Sequence, residues 1–194
     1  MPSELIEMFR QKFESLAGKV YVVTDSAQTI EKICEILEEV SGRQVALGIL
    51  PGDIREPFLA RCRQDGVGVI APPYSGENLT GTIDEANCGI TSADFAIAET
   101  GTLVETTTDD TVRLVSALPR VHIALLRAED IVPTLESAAS RLREAFQRHN
   151  GACAVTFISG PSRTGDIEMK LVLGVHGPEA AHAIIIDAGN RPDV

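Results

Sequence analysis

Apolar positions along the chain alternate between two rhythms, one helical and one extended. Leu5, Ile6, Phe9, Phe13 and Leu16 recur at helical spacing, which predicts an amphipathic helix over residues 3–17 that Gly18 ends. Residues 20–23 read as a strand. Asp25 or Ser26 can cap a second helix, whose stripe is Ile30, Ile33, Cys34, Leu37 and Val40. Residues 45–50 and 67–71 read as further strands, separated by a helix carrying Ile54, Phe58, Leu59 and Cys62. Downstream the pattern predicts a short helix at 82–87, a helix at 111–118, a strand at 121–126 and a long helix that Asp130 caps or precedes. Leu135, Ala138, Ala139, Leu142 and Phe146 would form its buried stripe, with Arg141, Arg143 and Glu144 in solvent. A strand at 155–158, a short helix at 167–173 and a strand at 183–186 complete the series. Such alternation predicts an α/β fold with a largely parallel sheet covered on both faces. Residues 1–188 read as one domain and 189–194 as a loose tail.

One stretch breaks the rhythm. Residues 89–108, GITSADFAIAETGTLVETTT, open as a short apolar run that Asp94 interrupts, so this acid needs a partner or a place in a site. Glu99-Thr100-Gly101-Thr102 then sets a carboxylate, two hydroxyls and a turn-forming glycine together, where a sheet of this class binds ligands. A second polar segment, residues 159–168 (SGPSRTGDIE), follows another apolar strand. Leading into a helix, its backbone N–H groups would form an anion cradle, with Arg163 as a planar cation. Residues 174–178, GVHGP, place His176 in a turn, where it could donate to an oxyanion or move a proton. His122 and His149 have no polar company in sequence and read as structural or surface residues, and His182 sits on the last strand.

Charge narrows the function classes. Seventeen basic against twenty-eight acidic residues give a formal charge of −11, which disfavours nucleic acid and anionic membranes but leaves a local anion site open. No apolar run is long enough for a membrane helix, no signal-peptide pattern opens the chain, and a cytoplasmic location is expected. Cys34, Cys62, Cys88 and Cys153 form no CxxC pair, so the spacing encodes neither an iron–sulfur cluster nor a zinc site, and no nicotinamide or flavin fingerprint is present.

The three motifs, GITSADFAIAETGTLV, SGPSRTGDIE and GVHGP, taken in this order and spacing, resemble the lactate-utilisation protein C family, the LUD domain. The resemblance implies a three-layer α/β/α sandwich around a mostly parallel, Rossmann-like sheet, similar to ribose phosphate isomerase and the CoA transferases. It implies a role in oxidising L-lactate to pyruvate beside iron–sulfur partner subunits, with no cofactor in this chain. It marks Thr91, Asp94, Glu99, Thr100, Gly101, Thr102, Ser162, Arg163, Thr164, Asp166 and His176. Glu99 and His176 are the candidates for chemistry, the others for holding a small anion, and no metal site is expected. The alternatives are an autonomous enzyme on a phosphorylated or CoA-linked metabolite, with Glu99 as base or nucleophile, and a plain interaction module.

Overall fold

The first amphipathic pattern forms α1 (Pro2–Ser15), which buries Ile6, Phe9 and Phe13. Phe9 and Phe13 stack with ring centroids 5.3 Å apart, and each fully buried ring contributes about 1.5–3 kcal/mol. The computed structural model describes residues 2–74, 78–165, 171–174 and 176–189. After α1 come β1 (Lys19–Val23) and α2 (Ser26–Glu39), the latter capped by Asp25, which accepts from the Gln28 N–H. β2 (Gln44–Leu47), α3 (Gly52–Asp65), β3 (Gly68–Ile70) and α4 (Leu79–Asp84) continue the alternation. α4 starts before the expected residue 82 because Asn78 is the cap, accepting from the Gly81 N–H. β4 (Cys88–Ser92), β5 (Phe95–Ile97), β6 (Thr102–Thr107) and α5 (Asp110–Ala117) follow. The chain ends through β7 (Val121–Arg127), β8 (Ile131–Val132), α6 (Leu135–Arg148), β9 (Ala154–Ile158), β10 (Arg163–Gly165), β11 (Leu171–Leu173) and β12 (Ala180–Ile186).

Six strands make one parallel sheet in the order β1-β12-β7-β4-β2-β3. Side chains alternate across it. Val121, Ile123 and Leu125 of β7 join Ile33, Leu37, Ile54 and Phe58 beneath α2 and α3, whereas Ala124 and Leu126 face α1 and the small sheet. That small sheet, in the order β8-β5-β6-β9, takes the place of a helix over the second face. Ala96 and Leu103 pack inward, while Phe95, Ile97 and Val104 face outward under Ala138 of α6. Residues 89–108 thus run from β4 of the main sheet into β5 and β6, which lie in a layer of their own.

Three expectations need correction. Residues 171–173 are not helical: β11 pairs antiparallel with β10, Arg163 opposite Leu173. The branched and long apolar run of Leu171, Val172 and Leu173 suits a strand, and residues 167–170 of the expected helix lie outside the described residues. Asp130 precedes α6, as one of the two readings had it, but does not cap it. Thr134 does, in a capping box with Ser137, and Asp130 instead takes the Arg141 guanidinium at 2.8 Å, so Arg141 is not simply solvated. Leu135 and Phe146 are exposed, 53% and 42%, because α6 covers the narrow outer face of a small sheet and needs only Ala138 and Ala145 fully buried.

Candidate functional site

β2 and β4 are neighbours whose chains leave in opposite directions: α3 carries β2 to β3, while β4 runs on into the small sheet toward β7. A crevice opens at such a reversal, at the carboxyl ends of the strands. Here a cleft of about 260 Å³ fills it, walled by Ile49 past β2, Thr91, Ser92 and Asp94 at the end of β4, Glu105 on β6, and Arg148. A second cleft, about 230 Å³, lies at the amino ends of β7 and β12, walled by Ser116, His122, Ser159, Ser162, His176 and Ala181.

Between the two clefts lies a buried polar chain. Thr91, Glu105 and His122 are 2%, 6% and 1% exposed. The Thr91 hydroxyl donates to Glu105 Oε1, and His122 Nε2 lies 2.8 Å from Thr91 Oγ1 and 3.5 Å from the same carboxylate oxygen. An ionised carboxylate only accepts, so the single Thr91 proton is committed to Glu105 and Nε2 must be the donor to Oγ1. Among the described residues, Nδ1 of His122 is buried without a partner. Burial, the largest influence on Glu105, pushes its carboxyl up. The hydrogen bond from His122 and its positive charge when the ring is protonated, with the Thr91 and Ser116 hydroxyls, outweigh it and hold the group below the ordinary carboxylate range.

The residues marked by sequence separate into distinct places. Asp94 has the partners its apolar strand demanded: its carboxylate accepts from the Thr106 N–H at 2.6 Å and hydroxyl at 2.9 Å, and faces Arg148 at 3.7 Å. Glu99 Oε1 accepts from the Leu135 N–H at 3.0 Å and so helps close the start of α6. Thr100 donates to Thr102, and Thr102 meets the Ser159 hydroxyl, each at 2.8 Å, so the two motif loops do touch. Both rest on the end of α1: a Cβ on Gly101 would stand 2.5 Å from Phe13 N, and one on Gly160 2.7 Å from Leu16 O. Ser162 clamps the His176 turn, donating its N–H to Pro178 O at 2.8 Å and accepting from the Gly174 N–H at 3.0 Å. Ser162 and His176 thus reach one cleft, but Glu99 and Arg163 are not among its walls. Arg163 is exposed on β10, which Thr164 shares, and Asp166 lies outside the described residues. The start of the helix that was to complete the cradle lies outside the described residues, and on either side of it β10 and β11 pair antiparallel.

Glu105 and His122 escaped the sequence reading. The available signal was the one used for Asp94, a lone polar side chain in an apolar or β-branched strand (LVETTT and VHIALL), which burial obliges to find company. The cysteines offer no rival centre. All four are free, and burial raises Cys62 to about 11 and Cys88 further, which keeps both protonated. Among the described residues no cluster suited to a metal ion occurs, and no helix is long and apolar enough to cross a membrane.

An all-parallel sheet with a small mixed sheet across one face, and a cleft at each end of its strands, defines a protein of the α/β class. Residues 6–186 match the model of the LUD domain, and the chain belongs to that family. Lactate utilization protein C of Anoxybacillus flavithermus is 32% identical over 186 residues, covering 95% of this chain and 81% of that protein. The protein of the same name from Halalkalibacterium halodurans is 39% identical over 158 residues, 81% of this chain and 68% of that one. The Bacillus subtilis one is 39% identical over 116 residues, 58% of this chain and only 48% of its own length. The chain is thus a homologue of lactate utilization protein C. In fold it is similar to a DUF162 family protein from Deinococcus radiodurans known from a crystal structure, with a TM-score of 0.69 at 20% identity over 96% of this chain and 98% of that one.

Proposed function

We propose that this protein serves a lactate-utilisation system that oxidises L-lactate to pyruvate together with iron–sulfur partner subunits, and that it acts there as an accessory subunit holding a small anion. Membership of the family whose relatives carry the lactate-utilisation name supports the physiological role. The observation that carries the anion site is the convergence of Ser159, Ser162, His122 and His176 on one cleft with no carboxylate among its described walls. Hydroxyls and imidazoles supply the donors that a carboxylate guest needs once out of bulk water. The carboxyl-edge cleft, by contrast, holds Asp94 and Glu105 and would repel the same guest.

Deleting the gene is expected to abolish growth on L-lactate as sole carbon source while leaving growth on glucose intact. The wild-type gene should restore growth, and Ser162→Ala combined with His176→Ala should not. A deletion strain that still grows on L-lactate at the wild-type rate refutes the role.

A further inference from the structure

The proton inventory around His122 reaches beyond an anion site of fixed charge. We propose that His122 grips the anion through Nδ1 and that Glu105, acting through Thr91, makes this grip take up a proton. The inference rests on the reading of the amino-edge cleft as an anion site and adds its coupling.

Three observations support it. His122 walls the cleft, is 1% exposed, and its Nδ1 has no hydrogen-bond partner among the described residues, a costly arrangement for a buried polar atom unless a guest completes it. Nε2 already carries its proton, because Thr91 gives its only one to Glu105. Protonation at Nδ1 therefore creates an imidazolium whose two N–H groups point to Thr91 and to the guest. Finally, the negative charge that stabilises this cation is in place: Glu105 Oε1 lies 3.5 Å from Nε2.

The bookkeeping of charge is simple. One proton from solvent binds Nδ1 as one anion enters; no covalent bond to the anion forms or breaks, and Thr91 and Glu105 keep their protonation. Among the described residues, the other charged or titratable groups about His122 are few. They are His176 across the cleft, His182 on the next strand, the Arg120–Glu179 pair at the strand starts and the Arg113–Asp110 pair on α5. Each arginine is already matched by an acid, which leaves Glu105 as the counter-charge in contact with the ring. Thr91 and Glu105 are positioning residues; of these three, His122 alone touches the guest.

The test is calorimetry on the full chain at neutral pH, titrating L-lactate, pyruvate and inorganic phosphate separately in two buffers of different ionisation enthalpy. The wild type is expected to bind at least one of these anions with a buffer-dependent enthalpy, corresponding to uptake of up to one proton per anion. Nitrogen-15 NMR should show the second ring nitrogen of His122 becoming protonated as the anion is added. Glu105→Gln still accepts from Thr91 but lacks the charge; it should bind about tenfold more weakly or worse, without proton uptake. Thr91→Val should also bind more weakly, because Nε2 loses its hydrogen-bond acceptor, and Thr91→Ser should bind like the wild type, so the conclusion does not hang on one variant's folding. Anion binding with no buffer dependence, or binding unchanged in Glu105→Gln and Thr91→Val, overturns the coupling and leaves the cleft as an anion site. Failure of the wild type to bind any of the three overturns both.

Discussion

Gly101 stands in the most ligand-like turn of the sequence, yet its neighbours belong to α1. An added Cβ would lie 2.5 Å from Phe13 N and 2.7 Å from both the carbonyl carbon and Cβ of Lys12. Unstrained contacts between such atoms begin near 3.5 Å, so α1 must withdraw by about 1 Å. The atoms met are mostly backbone, and no rotamer change relieves them. Overpacking of this kind costs about 1–3 kcal/mol, and the left-handed backbone at φ 62° adds about 1–2 kcal/mol for a residue with a Cβ. Gly101→Ala should therefore lose about 3 kcal/mol, which for a chain of this size lowers the melting temperature by about 6–12 °C. Gly66→Ala is the control: φ is 68° there, but nothing stands within 4 Å of the new Cβ. Differential scanning calorimetry of the two variants isolates the steric part, since both share the backbone penalty. Equal melting temperatures for Gly101→Ala and Gly66→Ala would refute the argument that this glycine exists for the close approach of α1.

Two further outcomes follow from buried polar groups. Burial first, then the charges of Lys19 and His122, push His182 down from 6.5 to about 4, so the fold keeps it neutral where the unfolded chain would protonate it. Its contribution is complete above pH 6.5 and drains away as the pH falls toward 4, by up to about 3 kcal/mol. Urea unfolding at pH 7.5 and at pH 4.5 should show a smaller loss in His182→Gln than in the wild type, and an identical loss would count against the assignment. At the start of α6, Thr134 accepts from the Ser137 N–H and Glu99 from the Leu135 N–H. Thr134→Ala should cost about 1 kcal/mol, and adding Glu99→Ala should cost more, because both free donors at the same helix end. A double variant that melts with the wild type would deny Glu99 this role.

The periodicities of the chain determined a good deal by themselves. Residues such as Ile33, Leu37, Ile54 and Phe58 announced their helices, and the strands alternate as an inner sheet requires, because solvent exclusion acts on one face at a time. The three polar motifs were visible too, and Ser162 and His176 do meet across the chain. Sequence could not decide which side of which layer each polar residue would occupy. Glu99 and Glu105 both flank or lie on short strands of the same hairpin, yet one closes a helix start and the other is buried against His122. That difference arises from the small sheet folding down over β4 and β7, a contact between distant segments that no local pattern encodes. His122 and Glu105 acquire their chemistry only there, since the field between two buried groups depends on separation and burial, and both are set by packing.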